Sequence, residues 1–436
     1  MITGIGTDFV CRSANCVGVY YLNKYIINGG NKLGGRVRVH GAKNAVLPIM
    51  AAAVLSGDVC RIYDCPDLSD VRHTVNILKT IGCKAELQGD MLLVDSSEVT
   101  NWEIPEDLMR EMRSSIIFLG ALAGKLGKAR MCFPGGCELG NRPIDLHIKS
   151  LRELGMEIRE ENGFIEVNCE RMHPADIHLN FPSVGATENI ILSCVKLKGE
   201  TTISNAAREP EIADMCDFLN KMGADIEGAG TEFIRIRGKA HLKGAEHKVM
   251  PDRIVATTLM CAAMTTKSEI ELLNVRNSHL GAIVSVLRDC GAKIEFFKDK
   301  MYIRAPEKIA SADMIKTQVY PGFPTDAQSP VMAALCFAEG TSVIVENIFD
   351  SRFKIIPELK KMGADILQDG RVAIIKGQKL TGAHIRAMDL RGGAALTVAA
   401  IGAEGESVLE NVHYIERGYV ELDKMLRSLG ADIVKT

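Results

Sequence analysis

The segment MGADILQ, residues 362–368, has five variants elsewhere along the chain, and this repetition indicates the fold. They are IGCKAEL at 81–87, LGMEIRE at 154–160, MGADIEG at 222–228, CGAKIEF at 290–296 and LGADIVK at 429–435. Each pattern joins the end of a helix, a glycine suited to a left-handed helix cap, and an alternating strand. The copies are spaced by roughly 70 residues, which predicts six copies of one α/β unit.

A second, more apolar helix precedes each of these markers. NAVLPIMAAAVL at 44–55 and GGAALTVAAIGA at 392–403 are apolar on most faces, which is typical of buried helices. A short β-like stretch that ends in a turn residue, such as EIELLNV at 269–275, follows the apolar helix. Each unit is thus predicted as helix, strand, helix, strand, strand. We expect an α/β fold with helices inside, sheets outside and three units in each of two domains.

The bulk composition excludes several classes of protein. A chain of 436 residues suits two domains, and its formal charge of −3 gives no basic field for general nucleic-acid binding. Its thirteen cysteines form no paired spacing, as expected for thiols in a reducing cytosol. The longest strongly apolar run, 45–55, is too short to cross a membrane. Residues 1–21 lack the repeat pattern, and we interpret them as a non-core extension.

The starts of the six apolar helices carry polar and basic residues. A helix start offers unpaired N–H groups and a partial positive charge, so inward-pointing starts could bind anions, although ordinary N-capping explains Ser, Thr and Asp there. Lysine or arginine at four of the starts opposes the helix dipole, which favours a bound phosphate or carboxylate. The six starts are Lys43-Asn44, Arg113-Ser114-Ser115, Ser183-Val184-Gly185, Asp252-Arg253, Thr325-Asp326 and Asp389-Leu390-Arg391.

The glycine-rich stretch FPGGCELGNRPIDLH at 133–147 contains the thiol with the most unusual surroundings. Its glycines leave Cys137 sterically open to a ligand. Arg142 would lower the pKa of this thiol and Glu138 would raise it, and the balance stays open. The other cysteines lie mostly in apolar helices or strands, where buried and unreactive thiols are expected.

Six motifs together resemble one known family. In chain order they are GAKNAVLP, PGGCELGNRPIDLH, PSVGATEN, NAAREPEI, FPTDAQSP and DLRGGAAL. They closely resemble the UDP-N-acetylglucosamine 1-carboxyvinyltransferases, the enolpyruvyl transferases that begin peptidoglycan synthesis, and the likeness extends from Lys24 to the C-terminus. The resemblance implies the enolpyruvyl transferase fold, with one domain formed by 22–42 plus 252–436 and the other by 43–251. The cleft would lie between them.

The same resemblance implies a reaction and its residues. An enolpyruvyl group would pass from phosphoenolpyruvate to the 3′-hydroxyl of UDP-N-acetylglucosamine by addition and elimination, with release of phosphate. Cys137 resembles the proton donor and Asp326 the acceptor of the hydroxyl proton, with Lys43 and Arg417 completing the catalytic set. The phosphoenolpyruvate ligands would be Lys43, Asn44, Arg142, Arg391 and Arg417. The nucleotide-sugar ligands would be Asn44, Arg113, Arg142, Pro143, Ile144, Asp145, Leu146, Ser183, Val184, Gly185, Asp326 and Ile348.

Further expectations concern partners and departures from the family. We expect no metal and no organic cofactor, a cytoplasmic monomer, and no nucleic-acid or membrane partner; for His147 we expect a structural hydrogen bond. Phe181 stands where some relatives have lysine, and Val255 where many have glutamate. Two other hypotheses are a paralogue that binds substrate without turnover and a ring-forming nucleic-acid clamp. The clamp would need a basic lumen and strongly salt-dependent binding.

Overall fold

The computed structural model describes residues 23–135 and 144–436. Within these ranges, four 3₁₀ helices span Arg113–Ile117, Asn277–His279, Arg352–Ile355 and Val412–Arg417. The α-helices among the described residues are α1 (Lys43–Ala53), α2 (Ser69–Thr80), α3 (Glu106–Glu111), α4 (Phe118–Leu126), α5 (Asp145–Glu153), α6 (Val184–Cys194), α7 (Pro210–Lys221), α8 (Arg253–Thr265), α9 (Gly281–Asp289), α10 (Thr325–Leu335), α11 (Ile356–Lys361), α12 (Leu390–Gly402) and α13 (Leu422–Ser428).

The strands are short, and most have three to five residues. They are β1 (Tyr25–Asn28), β2 (Arg36–Arg38), β3 (Val59–Tyr63), β4 (Lys84–Gln88), β5 (Met91–Asp95), β6 (Glu103–Ile104), β7 (Lys128–Cys132), β8 (Glu157–Glu161), β9 (Phe164–Asn168), β10 (Asp176–His178), β11 (Glu200–Ser204), β12 (Ile226–Glu227), β13 (Phe233–Arg237), β14 (Glu246–Lys248), β15 (Glu269–Leu273), β16 (Lys293–Phe297), β17 (Lys300–Arg304), β18 (Met314–Lys316), β19 (Thr341–Val345), β20 (Asp365–Asp369), β21 (Val372–Lys376), β22 (His384–Arg386), β23 (Glu406–Glu410) and β24 (Asp432–Lys435).

The strands of the described residues form six four-stranded sheets, which confirms the six-unit interpretation. Their strand orders are β14-β3-β5-β4, β6-β7-β9-β8, β10-β11-β13-β12, β16-β17-β15-β2, β18-β19-β21-β20 and β22-β23-β1-β24. In the sheet of β18–β21, for example, β18 pairs in parallel with β19, and β19, β21 and β20 pair antiparallel. Every second residue of β19 and β21 is buried, so this sheet has one face on the core.

The predicted unit lacked one strand that the structure contains. A short strand of two or three residues, such as β6 or β18, precedes the buried helix and joins its sheet by parallel pairing. The correction has a simple reason: two or three residues are too few to show a recognisable alternation in the sequence. In the C-terminal sheet, β1 from the start of the described chain pairs antiparallel with both β23 and β24.

The buried apolar residues form two separate clusters, and the sheets divide in the same way. One cluster draws on residues 42–250, the other on 25–39 together with 255–433. The chain passes twice between the clusters, at adjacent segments where Gly41 bridges to Pro251. Consequently β2 pairs with β15, and β14 pairs with β3, although the two strands of each pair are far apart in the sequence. Helices α8, α10 and α12 pack together at the centre of the second cluster.

The sequence markers occupy their predicted positions. The six repeat glycines all have positive φ, from +81° at Gly155 to +105° at Gly82 and Gly430, as a left-handed residue after a helix requires. Apolar helices begin at the predicted residues: α1 at Lys43, α10 at Thr325, and α6, α8 and α12 after the caps Ser183, Asp252 and Asp389. The Arg113 start is a 3₁₀ helix that continues into α4.

Candidate active site

Lys43, at the first position of α1, forms an ion pair with the buried carboxylate of Asp70. Lys43 Nζ lies 2.5 Å from Asp70 Oδ2. Arg417, at the end of the last 3₁₀ helix, donates from Nε to Asp70 Oδ1 at 2.9 Å and from a terminal nitrogen to Oδ2 at 3.4 Å. A single carboxylate therefore connects two cations for which the family resemblance implies the same ligand.

Charge and burial act in opposite directions within this group. Burial alone would raise the pKa of Asp70, but the charges of Lys43 and Arg417 and their hydrogen bonds outweigh it and hold the pKa below its usual value. Burial lowers the pKa of the Lys43 ammonium, and the neighbouring Arg417 and Arg391 act in the same direction, whereas Asp70 opposes them. The three groups thus form a cluster with a net positive charge, in which Lys43 and Asp70 are buried and Arg417 is partly exposed.

Asp326, in the first turn of α10, is the centre of a second charged group. Arg352 donates to Asp326 Oδ1 at 2.5 Å, and Arg391 donates to Oδ2 at 3.3 Å. The Asn44 side-chain amide also reaches Asp326 Oδ2, at 3.5 Å. Since Asn44 follows Lys43 on α1, the two charged groups are adjacent. The structure therefore brings Lys43, Asn44, Asp326, Arg391 and Arg417 into one region.

Arg391 is fixed by the start of α12 and by an aromatic ring. The Asp389 side chain caps this helix by accepting from the N–H groups of Arg391 and Gly392, at 3.0 and 2.8 Å. The Arg391 guanidinium lies over the Tyr419 ring, 5.6 Å from its centroid. The Tyr419 hydroxyl is in turn 2.8 Å from that of Thr258. These contacts restrict the arginine to one direction.

Three of the four basic helix starts pair with carboxylates of this chain. Lys43 pairs with Asp70 and Arg391 with Asp326, and Arg253 donates to the buried Glu211 from Nε at 2.9 Å and from Nη2 at 3.3 Å. The dipole argument predicts a compensating anion at these starts, and whether a bound phosphate or carboxylate also lies there stays a prediction. In the structure, internal carboxylates provide the compensating charge at these three starts.

A neighbouring set of predicted nucleotide-sugar residues lies at the starts of α5 and α6. Ser183 caps α6 by accepting from Ala186 N at 3.4 Å, and Gly185 packs closely against the His147 ring. His147 Nδ1 accepts from the Asn189 amide at 2.8 Å, the structural bond expected for this residue. Burial lowers the pKa of His147 to about 4, and the charge of Arg113 adds to this effect. His147 is therefore neutral at physiological pH.

Ile348 and Asp145 complete the described part of the predicted set. The Ile348 N–H donates to the buried Glu346 at 2.9 Å, and Glu346 also accepts from Thr325 at 3.0 Å, which ties Ile348 to the start of α10. Asp145 opens α5, between the buried Ile144 and the partly buried Leu146. Val184 is the first residue of α6. Cys137, Arg142 and Pro143 lie outside the described residues.

The remaining thiols contrast with the expectation for Cys137. Nine of the ten cysteines in the described ranges are buried, and Cys169 is partly buried, which confirms the sequence prediction. Burial raises the pKa of Cys65, Cys83, Cys194 and Cys336 to about 12. Few of these thiols are in the nucleophilic thiolate form at neutral pH.

Two charged residues of the site, Asp70 and Arg352, were not predicted from the sequence. Asp70 lies in the first turn of the amphipathic helix α2, whereas the repeated polar starts belong to the apolar helices. Arg352, fully buried, also donates to Thr325 Oγ1 at 3.2 Å and lies over the Phe349 ring. An acidic first turn at 69–70 and a lone arginine after NIFDS were the available signals.

The two departures from the family differ in their surroundings. The Phe181 side chain is exposed beside the start of α6. Val255 is fully buried within α8, and its N–H donates to the Asp252 cap at 3.0 Å. Among residues 23–135 and 144–436, no group of three or more His, Cys, Asp or Glu side chains could hold a metal ion. No helix in these ranges is long and apolar enough to cross a membrane.

Comparison with known proteins decides the family. A family model described as EPSP synthase (3-phosphoshikimate 1-carboxyvinyltransferase) matches residues 27–426. A UDP-N-acetylglucosamine 1-carboxyvinyltransferase 2 of Caldanaerobacter subterraneus subsp. tengcongensis is 49% identical over 415 residues, which cover 95% of this chain and 100% of the relative. The chain belongs to the UDP-N-acetylglucosamine 1-carboxyvinyltransferase family. This confirms the resemblance drawn from the six motifs.

Other members and solved structures agree with the family and the fold. The UDP-N-acetylglucosamine 1-carboxyvinyltransferase of Halothermothrix orenii is 44% identical, with 95% of this chain and 100% of the relative covered. The enolpyruvyl transferase NikO of Streptomyces tendae superposes with a TM-score of 0.86 at 26% identity, covering 95% and 99% of the two chains. An EPSP synthase of Acinetobacter baumannii shares the fold, with a TM-score of 0.76 at 18% identity over 95% and 100% of the chains.

Proposed function

We propose that this family member transfers the enolpyruvyl group of phosphoenolpyruvate to the 3′-hydroxyl of UDP-N-acetylglucosamine and releases phosphate. The product would be the first committed intermediate of peptidoglycan synthesis. The observation that carries the proposal is the convergence of Lys43, Asn44, Asp326, Arg391 and Arg417 in one region, in a chain 49% identical to a named transferase. Cationic side chains of this kind suit the phosphate and carboxylate of phosphoenolpyruvate.

The proposed reaction proceeds by addition and elimination. The sugar 3′-oxygen bonds to C2 of phosphoenolpyruvate while Asp326 takes the hydroxyl proton and Cys137 gives a proton to the methylene carbon C3. The tetrahedral intermediate then loses a proton from C3 and phosphate from C2, which restores the double bond. Each proton transfer by a positioned side chain typically contributes about 10²–10⁴-fold to the rate.

In this proposal the two arginines that contact Asp326 have different roles. Arg352 fixes one carboxylate oxygen, while Arg391 contacts the other and is also a proposed phosphoenolpyruvate ligand. When Arg391 engages the substrate carboxylate, its hold on Asp326 weakens, because the guanidinium is shared between two anions. Asp326 then becomes a better proton acceptor when phosphoenolpyruvate is bound.

The domain division and the cellular setting are part of the same proposal. We assign 22–42 plus 252–436 to one domain and 43–251 to the other, supported by the two buried clusters and the paired crossing at Gly41 and Pro251. The cleft between them would hold both substrates. We further propose a cytoplasmic monomer that requires neither a metal nor an organic cofactor.

Identification of the product tests this function. Purified protein is incubated with phosphoenolpyruvate and either UDP-N-acetylglucosamine or 3-phosphoshikimate, and the products are analysed by mass spectrometry. We expect UDP-N-acetylglucosamine alone to gain the mass of an enolpyruvyl group. Modification of 3-phosphoshikimate instead would assign to the chain the activity of a 3-phosphoshikimate 1-carboxyvinyltransferase. Binding of UDP-N-acetylglucosamine without any product would indicate a regulatory paralogue.

A further inference from the structure

Asp70 is a buried acid inside a group of cations that are expected to bind an anion. It is 5% exposed and lies in the first turn of α2. Both of its oxygens are occupied, by Lys43 at 2.5 Å and by Arg417 at 2.9 and 3.4 Å. A carboxylate in an anion site would ordinarily repel the ligand, so its presence calls for a physical reason.

The two partners of Asp70 come from distant parts of the chain. Asp70 and Arg417 are separated by 347 residues and belong to the two proposed domains. Lys43 and Asp70 both belong to the 43–251 domain, on α1 and α2, and these helices pack together. The contact of Asp70 with Arg417 therefore joins the domains inside the cleft.

A second carboxylate joins the domains at the chain crossing and provides a comparison. The buried Asp64 accepts two hydrogen bonds from Arg38, at 2.9 and 2.5 Å, and one from the Asn274 amide at 3.2 Å. These residues lie beside the paired crossing segments at Gly41 and Pro251. Asp64 serves the crossing, whereas Asp70 holds two proposed substrate ligands.

Electrostatics explains how an acid can assist anion binding. Lys43 and Arg417 would repel each other if they were brought together without a counter-charge, and the repulsion is strong where burial excludes water. One carboxylate between the two cations cancels this repulsion and leaves the group with a net positive charge. The incoming anion then meets two cations that are already oriented and need no further ordering.

We propose that Asp70 is a positioning residue that holds Lys43 and Arg417 side by side across the domain cleft, so that phosphoenolpyruvate meets both cations together. The inference rests on the proposed function, because it deepens the assignment of Lys43 and Arg417 as ligands. Asp70 acts through these two residues and does not itself contact substrate. The opposite arrangement, in which Asp70 only fills the anion site until substrate displaces it, gives the opposite result in the test.

The test is the near-isosteric substitution Asp70→Asn, which removes the charge and keeps the shape. Two quantities are measured: the dissociation constant of inorganic phosphate by calorimetry, and the KM and kcat values for both substrates. We expect phosphate binding and the KM for phosphoenolpyruvate to weaken by about 10- to 100-fold, the range for a lost charge-assisted hydrogen bond. The KM for UDP-N-acetylglucosamine should change less than about threefold, and Asp70→Glu should restore part of the loss.

Asp67→Asn is the matched control. Asp67 lies three residues earlier and pairs with Arg72, and both side chains are exposed, so the same chemical change breaks an ion pair outside the cleft. We expect both phosphate binding and the kinetic constants to stay within about twofold of the wild type. Circular dichroism and thermal unfolding verify that the variants fold. If Asp70→Asn does not fold, phosphate binding by Asp70→Glu is compared with that by the wild type. Weaker binding supports the positioning role, and unchanged or tighter binding overturns it.

The results separate this inference from the proposed function. Unchanged or tighter phosphate binding by Asp70→Asn would overturn the positioning role and identify Asp70 as a competitor of the anion. If the wild type turns over both substrates and Asp70→Asn matches it, the inference fails and the function stands. If the wild type shows no turnover but Asp70→Asn binds phosphate 10-fold more weakly or worse, the positioning role stands and the function fails.

Discussion

Replacing Asp326 with asparagine removes the proposed proton acceptor and the charge that two buried arginines share. The side chain of Arg352 is 1% exposed and that of Arg391 is 4% exposed, while Asp326 itself is 27% exposed. The substitution keeps the size of the side chain. Any loss of activity or stability therefore reflects the lost charge and the lost proton acceptor, with little contribution from a cavity.

The structure sets the expected magnitude for each effect. Breaking a buried ion pair costs about 3–5 kcal/mol of unfolding free energy. Partial exposure of Asp326 reduces this, and Arg352 keeps its bond to Thr325 and its contact with the Phe349 ring, so we expect a loss of about 2–3 kcal/mol. For a domain of this size that corresponds to a fall of roughly 5–10 °C in melting temperature. Loss of the base should lower kcat by about 10²–10⁴.

The assay combines steady-state phosphate release with thermal unfolding of the same preparation, at a temperature well below both melting points. Glu269→Gln is the control, because Glu269 pairs with Arg304 at 2.7 Å in the same domain and both side chains are exposed. We expect this control to change stability by less than about 0.5 kcal/mol and to leave kcat unchanged. A kcat for Asp326→Asn within threefold of the wild type would refute the role of Asp326 as the proton acceptor.

Three other predictions address the loop, the buried histidine and the close packing at α6. Cys137→Ala should lose about 10²–10⁴ in kcat. Cys137→Asp keeps a proton donor and should stay active, but it lacks the thiol that an epoxide would alkylate, so fosfomycin, the epoxide inhibitor that the family resemblance implies, should no longer inhibit it. Steady-state rates with and without fosfomycin test both variants. Burial lowers the pKa of His147 to about 4 in the folded protein, so as the pH falls below 6.5 the unfolded chain binds this proton before the folded protein does. The free energy of unfolding should therefore decrease by about 2 kcal/mol between pH 7 and about pH 5. Denaturant unfolding of His147→Asn should show a smaller decrease. A methyl group at Gly185 would lie 2.8 Å from the His147 ring, so Gly185→Ala should lower the free energy of unfolding by about 1–3 kcal/mol and weaken UDP-N-acetylglucosamine binding. The control is Gly281→Ala, where a methyl group would meet open space. Thermal unfolding should show a loss of less than about 0.5 kcal/mol for this control.

The sequence predicted the features that repeat locally. Six glycines at one offset from a helix end, such as Gly223 and Gly363, were enough to count the units, because the left-handed cap is a requirement of the local backbone. The starts of the apolar helices were predicted for the same reason. The fold followed from the repetition, since each unit must bury its apolar helix against its neighbours.

Contacts between distant residues could not be predicted in this way. Asp70 and Arg417 are in contact although 347 residues separate them in the chain, and nothing in the sequence of either helix predicts this contact. Arg352 looks like a surface residue in its sequence context, yet it is buried because Asp326 and Thr325 accept its donors. The shortest strands, such as β6, also escaped, since two residues carry no periodicity. Tertiary placement, which local pattern does not contain, decides all three.

Release of phosphate from phosphoenolpyruvate is a direct test of the proposed enolpyruvyl transfer. Purified protein is given phosphoenolpyruvate, and phosphate is measured continuously before and after UDP-N-acetylglucosamine is added. The proposed enolpyruvyl transfer predicts steady release only after the addition, in an amount that equals the nucleotide sugar converted. Release that does not depend on UDP-N-acetylglucosamine, or no release when both substrates are present, would contradict the claim.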